Sequence, residues 1–303
     1  MNSSTSGPGA PASRHLAGIG LMALGIFIFA LNDALGKWLI ATYSVGQLLL
    51  IRSAAALVLL VPLIWREPLA AFTTAPRPFI QVSRAVLATV EVACFYWALA
   101  YMPLADVMTF YLAGPIYVTA MSPFLLGEHV GWRRWAAVLA GFIGVMIALN
   151  PSGQSLSPAA FVAIAGSFSF SLLMICTRLV PGTSDVVLVT SQTVAALIFG
   201  VVVAPFAWTP PRLEDSLLLI LLGVTAMVAH MCINRSLKIA PATVVVPYQY
   251  TTIVWAILLG FFIFGDIPTL PMLVGAATII AAGLYIFIRE RARSRQPVVA
   301  DPP

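Results

Sequence analysis

Long apolar runs, each close to the length needed to cross a bilayer, follow one another along nearly the whole chain. A helix needs about 20 apolar residues to span a hydrocarbon core of about 30 Å. The runs predict ten transmembrane helices, at residues 16–36, 45–65, 79–101, 104–126, 135–149, 158–177, 186–208, 216–237, 240–264 and 270–288. Because lipid leaves backbone polar groups unpaired, only helices or a closed barrel can span, and these runs are too long and too uniformly apolar for barrel strands. The pattern predicts an all-α membrane protein.

The same pattern is written twice. One triplet, Pro103, Gly127 and Glu128, recurs 138 positions later as Pro241, Gly265 and Asp266. Another set recurs 141 positions later: Gly25, Phe27, Phe29, Leu31 and Lys37 match Gly166, Phe168, Phe170, Leu172 and Arg178. We therefore expect two five-helix repeats, at residues 16–149 and 158–288. An odd number of helices per repeat inverts the second repeat in the membrane, as in many secondary transporters.

Composition excludes a soluble fold and leaves no length for a second, aqueous domain. The chain is 60% hydrophobic and 9% charged, against roughly 45–50% and about 25% in soluble domains. Residues 1–15 and 289–303 are predicted to be a disordered lead and a tail, both cytoplasmic. The net charge of +5 does not indicate nucleic acid, because the basic residues are scattered between apolar runs.

The distribution of basic residues predicts the orientation. Of 16 Lys and Arg residues, twelve lie on one side of the predicted helices. They are Arg14, Arg66, Arg77, Arg133, Arg134, Arg178, Arg235, Lys238, Arg289, Arg291, Arg293 and Arg295. Only Lys37 and Arg212 lie on the other side, while Arg52 and Arg84 fall within helices. By the positive-inside rule the richer side is cytoplasmic, with both termini inside.

The motif pattern resembles the EamA family of the drug/metabolite transporter superfamily. Ten apolar helices in duplicated halves, with a proline, a Gly-acid pair and a helix containing several glycines (Gly127, Glu128, Gly141, Gly144), carry the resemblance. It covers residues 16–288. In the second half Asp266 replaces the glutamate, and Ile253 stands where a proline would match Pro115. The resemblance implies export of small metabolites, often amino acids or drugs, across the bacterial inner membrane by alternating access.

Charged side chains inside the membrane are the first candidates for function, because each costs several kcal/mol unless paired or wetted. Arg52 and Glu91 are predicted at similar depth near the midplane. They either bind the carboxylate and ammonium of a zwitterionic cargo or form a permanent ion pair. Arg84 is expected to extend toward the cytoplasmic interface. Asp33 has the spacing for a local salt bridge with Lys37.

Other polar groups line the predicted helices. Asn32 is a candidate for cargo binding in the central cavity, and Asp33 beside it is a candidate for an outer vestibule. His230 is a candidate for proton coupling, with a hydrogen bond to a backbone carbonyl as the alternative. Pro115 and Pro247 are predicted to bend their helices. A central cavity with an aromatic wall is predicted from Thr109, Tyr111, Tyr248, Gln249 and Tyr250, although tyrosines also anchor membrane interfaces.

The sequence therefore predicts a secondary transporter that exports small metabolites, with amino acids, including aromatic or apolar ones, as the first cargo class. A multidrug or nucleoside-type exporter, an intramembrane enzyme and a non-transporting structural protein are the alternatives. No Walker motif, HExxH or Gly-x-Ser-x-Gly is present, and Cys94, Cys176 and Cys232 lack metal-site spacing. We expect no cofactor and no bound metal. The expected partners are a small-molecule cargo and the bilayer, with the protein a monomer or weak homodimer.

Overall fold

The structure, a computed structural model, describes residues 10–73, 77–127, 130–149, 157–180, 182–239 and 245–294. The α-helices in these ranges are α1 (Ala10–Ile40), α2 (Val45–Ile64), α3 (Leu69–Thr73), α4 (Pro78–Leu99), α5 (Leu104–Tyr111), α6 (Gly114–Leu125), α7 (Trp132–Leu149), α8 (Pro158–Arg178), α9 (Asp185–Val203), α10 (Leu213–Ile239), α11 (Thr252–Leu259) and α12 (Leu270–Ser294). These ranges contain no β-strand, and nine segments in them are long and apolar enough to cross a membrane. The all-α membrane prediction is confirmed.

The ninth predicted helix, 240–264, is shorter and irregular. A 3₁₀ turn over Val246–Thr251 precedes α11, and a π-helical turn over Gly260–Phe264 follows it, so the apolar helix covers Tyr248–Phe264. Pro247 lies in the first turn of the 3₁₀ segment, where its missing N–H removes no helical hydrogen bond. Residues 240–244, with Pro241, lie outside the described residues.

The two predicted end segments are partly helical. α1 begins at Ala10, inside the predicted lead, and α12 continues to Ser294, inside the predicted tail. Alanine, arginine and glutamate are good helix formers, so a helix already nucleated in the apolar run extends through them. Residues 1–9 and 295–303 lie outside the described residues.

The fourth predicted helix, 104–126, is broken between α5 and α6. α5 ends at Tyr111 and α6 begins at Gly114. A proline ring clashes with the carbonyl four residues earlier and offers no N–H to it. For Pro115 that carbonyl belongs to Tyr111, the last residue of α5. Pro115 therefore lies at the break between α5 and α6, where its ring accounts for the end of α5.

The residues that begin and end matching helices are the same in the two halves. Ser44 caps α2 and Ser184 caps the matching helix α9, each accepting the backbone N–H three residues later at 3.3 Å. Gly127 and Gly265 have left-handed φ values of 68° and 71°. Glycine adopts this conformation at low cost after a helix C-terminus. The glycine of each Gly-acid pair is thus a helix-ending residue.

The helices of one half pack mainly on those of the other. α1 packs on α10 and α4 on α8, while α2 pairs with α9 and α7 with α12. α2 also contacts α10, and α4 contacts α9. If α1, α2, α4 and α7 are exchanged with α8, α9, α10 and α12, α1–α10 maps onto α4–α8 and α2–α10 onto α4–α9, while the other two pairs map onto themselves. The pairing of helices therefore has the same two-fold relation as the sequence repeat. The two halves pack against each other along one shared interface.

Candidate functional site

Three charged side chains from three helices of the first half lie within electrostatic range inside the bundle. Asp33 lies on α1, Arg52 on α2 and Glu91 on α4, and we call these residues the central charge cluster. Arg52 acts electrostatically on both carboxylates, and Glu91 also acts on Asp33. Asp33 is buried, whereas Arg52 and Glu91 are half-buried. No ion-pair contact joins Arg52 to Glu91 in the part of the chain that the structure describes.

Arg52 is held by Tyr96, a residue that was not among the candidates from the sequence. Its Nη1 donates to the Tyr96 hydroxyl at 3.0 Å, and its guanidinium carbon lies 5.4 Å from the centre of the Tyr96 ring. Gly36 makes room for that ring, since a Cβ at position 36 would lie 2.2 Å from Tyr96 Cε1. Arg52 has five N–H donors, and one of them donates to Tyr96. Its remaining donors suit a carboxylate.

Asn32 ties the first half to the second. Its Nδ2 donates to the Leu222 carbonyl at 2.6 Å and to Thr225 Oγ1 at 2.7 Å, both on α10. The Tyr96 hydroxyl lies 3.5 Å from Asn32 Oδ1. Asn32 was predicted to contact cargo. Because it is buried and both amide protons have partners, the structure places it as a link between helices.

An aromatic row runs beside the cluster across the interface of the halves. Phe95 packs edge-on against both Tyr96 and Tyr111, at ring-centre distances of 5.4 Å and 5.2 Å. Tyr111 in turn contacts Phe170 of α8 at 6.5 Å. The Tyr111 hydroxyl donates to the Glu91 backbone carbonyl at 3.1 Å. Of the predicted aromatic wall, Tyr111 therefore lies at the cluster.

The other predicted wall residues do not join this group through any contact of the described residues. Thr109 is fully buried and its hydroxyl donates to the Ala105 carbonyl of its own helix at 2.9 Å. The Tyr250 hydroxyl approaches Gly283 on α12, and Tyr248 is exposed. Gln249 is half-buried. The irregular backbone of Val246–Thr251 explains the difference, because a 3₁₀ turn presents side chains at another angular spacing than an α-helix.

His230 lies on α10 with its ring edge against Phe29, at a ring-centre distance of 4.7 Å. Its Nδ1 donates to the Ala226 carbonyl at 2.9 Å. This is the backbone-bonded alternative that the sequence left open. The hydrogen bond fixes Nδ1 as the protonated nitrogen of the neutral ring.

Arg84 differs from its expected interfacial role. It is buried, with its Nε donating to Thr177 Oγ1 at 2.8 Å and its Nη1 to the Leu188 carbonyl at 3.0 Å. The partners lie on α8 and α9, so Arg84 joins the halves. Gln81 adds a bond to Thr183 Oγ1 at 3.2 Å on the same side of the bundle. We call this side the Arg84 end.

The opposite end carries its own bonds between the halves. Lys37 Nζ binds Asp266 Oδ2 at 2.5 Å and lies 4.6 Å from the Phe264 ring centre. The local Asp33–Lys37 salt bridge suggested by the sequence is therefore wrong. Tyr43 donates to Asp215 at 2.6 Å, a hydrogen bond that raises the pKa of the Tyr43 phenol. We call this side the Lys37 end.

The Lys37–Asp266 pair is expected to stabilise the folded protein measurably. Both side chains are largely buried, with 13% and 24% of their side-chain surface exposed. In a double-mutant cycle with Lys37→Met and Asp266→Asn, we expect a coupling energy of about 0.5–3 kcal/mol, measured by thermal melting in detergent. The swapped pair Lys37→Asp with Asp266→Lys should recover part of the loss. Additive single effects would contradict this prediction.

The sequence analysis gave Asp33 another role and did not single out Tyr96. Asp33 was interpreted through its spacing to Lys37, although a carboxylate beside Asn32 in an apolar run was itself a signal. Tyr96 had no motif to mark it, and only the contact between α1, α2 and α4 shows its role. No group of three or more metal-ligating side chains occurs in the ranges that the structure describes.

Comparison with known proteins identifies the family. The model of the EamA-like transporter family matches residues 16–150 and 157–288, one segment for each half. A solved crystal structure aligns over 94% of this chain and 99% of its own, with a TM-score of 0.57 and 16% identity, which shows a common fold.

Characterised relatives are named as transporters. The S-adenosylmethionine uptake transporter of Rickettsia bellii is 24% identical over 90% of this chain and 94% of its own. The riboflavin transporter of Vibrio cholerae is 30% identical over 70% and 72%. The pseudopaline exporter of Pseudomonas aeruginosa is 24% identical over 88% and 94%. With two family segments and its apolar helices, the chain belongs to the EamA-like transporter family and is a multi-pass protein of the bacterial inner membrane.

Proposed function

We propose that the protein is a secondary transporter that moves small metabolites with an amino-acid group by alternating access between its two halves. The observation that carries this proposal is the central charge cluster, in which Asp33 is buried and Arg52 and Glu91 are half-buried, flanked by Tyr96 and Tyr111. Charged groups in the membrane are costly to retain, and a cargo that carries both a carboxylate and an ammonium group would offer each of them a partner of opposite charge.

The chemistry of the cluster suits an amino-acid group. A cargo carboxylate accepts the free donors of Arg52, and a cargo ammonium approaches Glu91. The rings of Tyr96 and Tyr111 offer apolar faces to a planar or apolar side group. Nucleosides, the alternative cargo class, use the aromatic faces but have no charged partner for Arg52. Drugs without an amino-acid group lack that partner in the same way.

Relatives supply the first cargo to test. S-adenosylmethionine, named for the Rickettsia protein, combines an amino-acid group with a purine ring. Riboflavin, named for the Vibrio protein, has a planar ring without the amino-acid group. Comparing the two therefore separates the contribution of the charge cluster from that of the aromatic row.

We propose inverted repeats with both termini in the cytoplasm and transport in the outward direction. The exchangeable packing of the halves supports the two-fold plan, and the basic residues support the orientation. Alternating access then consists of breaking the bonds at the Lys37 end or at the Arg84 end. The family includes both uptake proteins and exporters, so transport is measured in both directions.

Accessibility labelling tests the inversion. Thr42 and Gly182 are exposed residues in the connections that follow the first helix of each half. In a protein with Cys94, Cys176 and Cys232 replaced by serine, we expect a membrane-impermeant maleimide to label Thr42→Cys in spheroplasts. Gly182→Cys should react only after permeabilisation. Labelling of both cysteines from one face would refute the antiparallel plan.

Transport in proteoliposomes tests the function. We expect exchange of labelled S-adenosylmethionine or an aromatic amino acid to exceed that of protein-free vesicles, and riboflavin to be transported less. A thermal-shift screen with amino acids, nucleosides and cationic drugs identifies further cargo, because bound cargo stabilises the folded state by mass action. No transport of any compound in the panel would refute the proposal, and transport of nucleosides alone would assign the alternative cargo class.

A further inference from the structure

Asp33 is a buried carboxylate without a direct partner. Its side chain is 9% exposed and makes no hydrogen bond or ion pair in the part of the chain that the structure describes. By contrast, Lys37, one turn further along α1, is occupied by Asp266. An unpaired, ionised carboxylate in such a position costs several kcal/mol. Something positive must therefore accompany it.

The groups that face Asp33 do not supply enough positive charge. Arg52 on α2 is the one cation that acts on it, while Glu91 on α4 adds a second negative charge. Tyr96 on α4 and Tyr111 on α5 also lie within its field. His230 on α10 is bonded through Nδ1 to its own helix. The 3₁₀ segment and α11 place no charged residue against Asp33. With both carboxylates ionised, the cluster carries one uncompensated negative charge.

Burial decides which cation can reach which carboxylate. Arg52 and Glu91 are half-buried and so retain surface that a cargo molecule can contact, whereas Asp33 is only 9% exposed. A proton reaches a carboxylate through transient water, but an ammonium group needs room for its whole substituent. Glu91 is therefore the position for a cargo cation, and Asp33 is the position for a proton.

We propose that Asp33 carries the coupling proton of this transporter, and that one further positive charge, either this proton or a cargo of net charge +1, neutralises the central charge cluster. The inference rests on the transport function proposed above. It assigns the coupling role to Asp33 rather than to His230. It also selects cationic amino-acid metabolites, among which S-adenosylmethionine has one carboxylate, one ammonium and one sulfonium, as the cargo that exchanges for a proton.

The exchange balances in protons and charge. When the monocationic cargo binds, the O–H bond of Asp33 breaks and its proton leaves to water on the side that is open. The carboxylate of Asp33 is then balanced by the cargo. When the cargo departs on the other side, a water-borne proton from that side returns to Asp33. A zwitterionic amino acid adds no net charge, so the proton stays on Asp33 and travels with it.

Infrared spectroscopy tests the proton site without cargo. In the purified protein at neutral pH we expect the carbonyl stretching band of a protonated carboxylic acid, lost in Asp33→Asn and retained in Glu91→Gln. The membrane aspartate Asp106, which is not part of the cluster, provides the matched control, and Asp106→Asn should keep the band. If Asp33→Asn does not fold, carbon-13 labelling of aspartate in the Asp106→Asn background must shift the band. No such band in the wild type, or a band that persists without Asp33, would overturn the assignment.

Proton counting tests the exchange. S-adenosylmethionine, added to weakly buffered protein with a pH indicator, should release one proton per bound molecule, whereas L-tryptophan should release none. In Asp33→Asn the release should disappear while binding remains measurable by calorimetry. Binding of S-adenosylmethionine without proton release would overturn the exchange. Failure of S-adenosylmethionine to bind at all counts against the proposed cargo, and the infrared result then decides the proton site by itself.

Discussion

Arg52→Ala and Glu91→Gln are each expected to reduce transport of amino-acid cargo by about tenfold to a hundredfold, while the protein still inserts and folds. A hydrogen bond to a charged group contributes about 1.5–3 kcal/mol, and about 1.4 kcal/mol corresponds to a factor of ten. Arg52→Lys keeps the charge but loses the planar fork that matches a carboxylate, so we expect an intermediate rate. Initial rates of cargo exchange in proteoliposomes measure the effect.

Matched surface substitutions control for the loss of a charge. Arg133 is exposed at the start of α7, with its guanidinium 5.5 Å from the ring centre of Trp132, and Glu214 is exposed at the start of α10. Arg133→Ala and Glu214→Gln should transport like the wild type. Each rate is normalised to folded protein, determined by size-exclusion chromatography. Wild-type transport by both Arg52→Ala and Glu91→Gln would exclude the cluster as the cargo site.

Gly275→Ala is expected to destabilise the fold by about 1–3 kcal/mol, the usual range for overpacking. A Cβ at position 275 would lie 2.6 Å from Ala148 Cβ and 2.7 Å from both Ala148 N and Gly144 O. Two of these atoms are backbone, so α7 and α12 must move apart. Because helices in lipid associate mainly through close packing, the added distance weakens the whole contact. The melting temperature in detergent should fall accordingly.

Gly20→Ala is the control for this substitution. Gly20 lies within α1, and a Cβ there would meet nothing within 4 Å. Alanine is a better helix former than glycine by about 1 kcal/mol, so Gly20→Ala should leave the melting temperature unchanged or raise it. The two substitutions add the same methyl group, but only Gly275→Ala is expected to lower the melting temperature. Equal melting temperatures for both variants would show that the α7–α12 contact is not closely packed.

The sequence predicted the helices well because lipid imposes a single requirement on them. A run of about 20 apolar residues must form a helix wherever it crosses the membrane, and nine such segments are present in the described ranges. The break between α5 and α6 has a comparably local cause, because the Pro115 ring clashes with the Tyr111 carbonyl and offers it no N–H. The 3₁₀ and π turns around α11 were not predictable, because no single residue requires them.

Candidate chemistry was harder to predict, because hydrophobicity along a chain does not specify which helices become neighbours. Their positions along the predicted helices put Arg52 and Glu91 at similar depth in the membrane. In the structure, Arg52 acts electrostatically on Glu91. Lys37 was assigned to the nearest carboxylate in sequence, Asp33, yet its partner is Asp266, 229 residues away. Spacing along a helix describes only contacts within that helix.

The sequence by itself determined the membrane class, the number of apolar runs, the repeat and the residue types available for chemistry. These properties depend on composition and local order, which any spanning helix must satisfy on its own. Only the tertiary structure decided that Tyr96 holds Arg52, that Asn32 joins α1 to α10, and that Asp33 is left without a partner. Those relations arise where α1, α2, α4 and α10 meet, and the close approach of side chains there depends on packing between segments far apart in the chain.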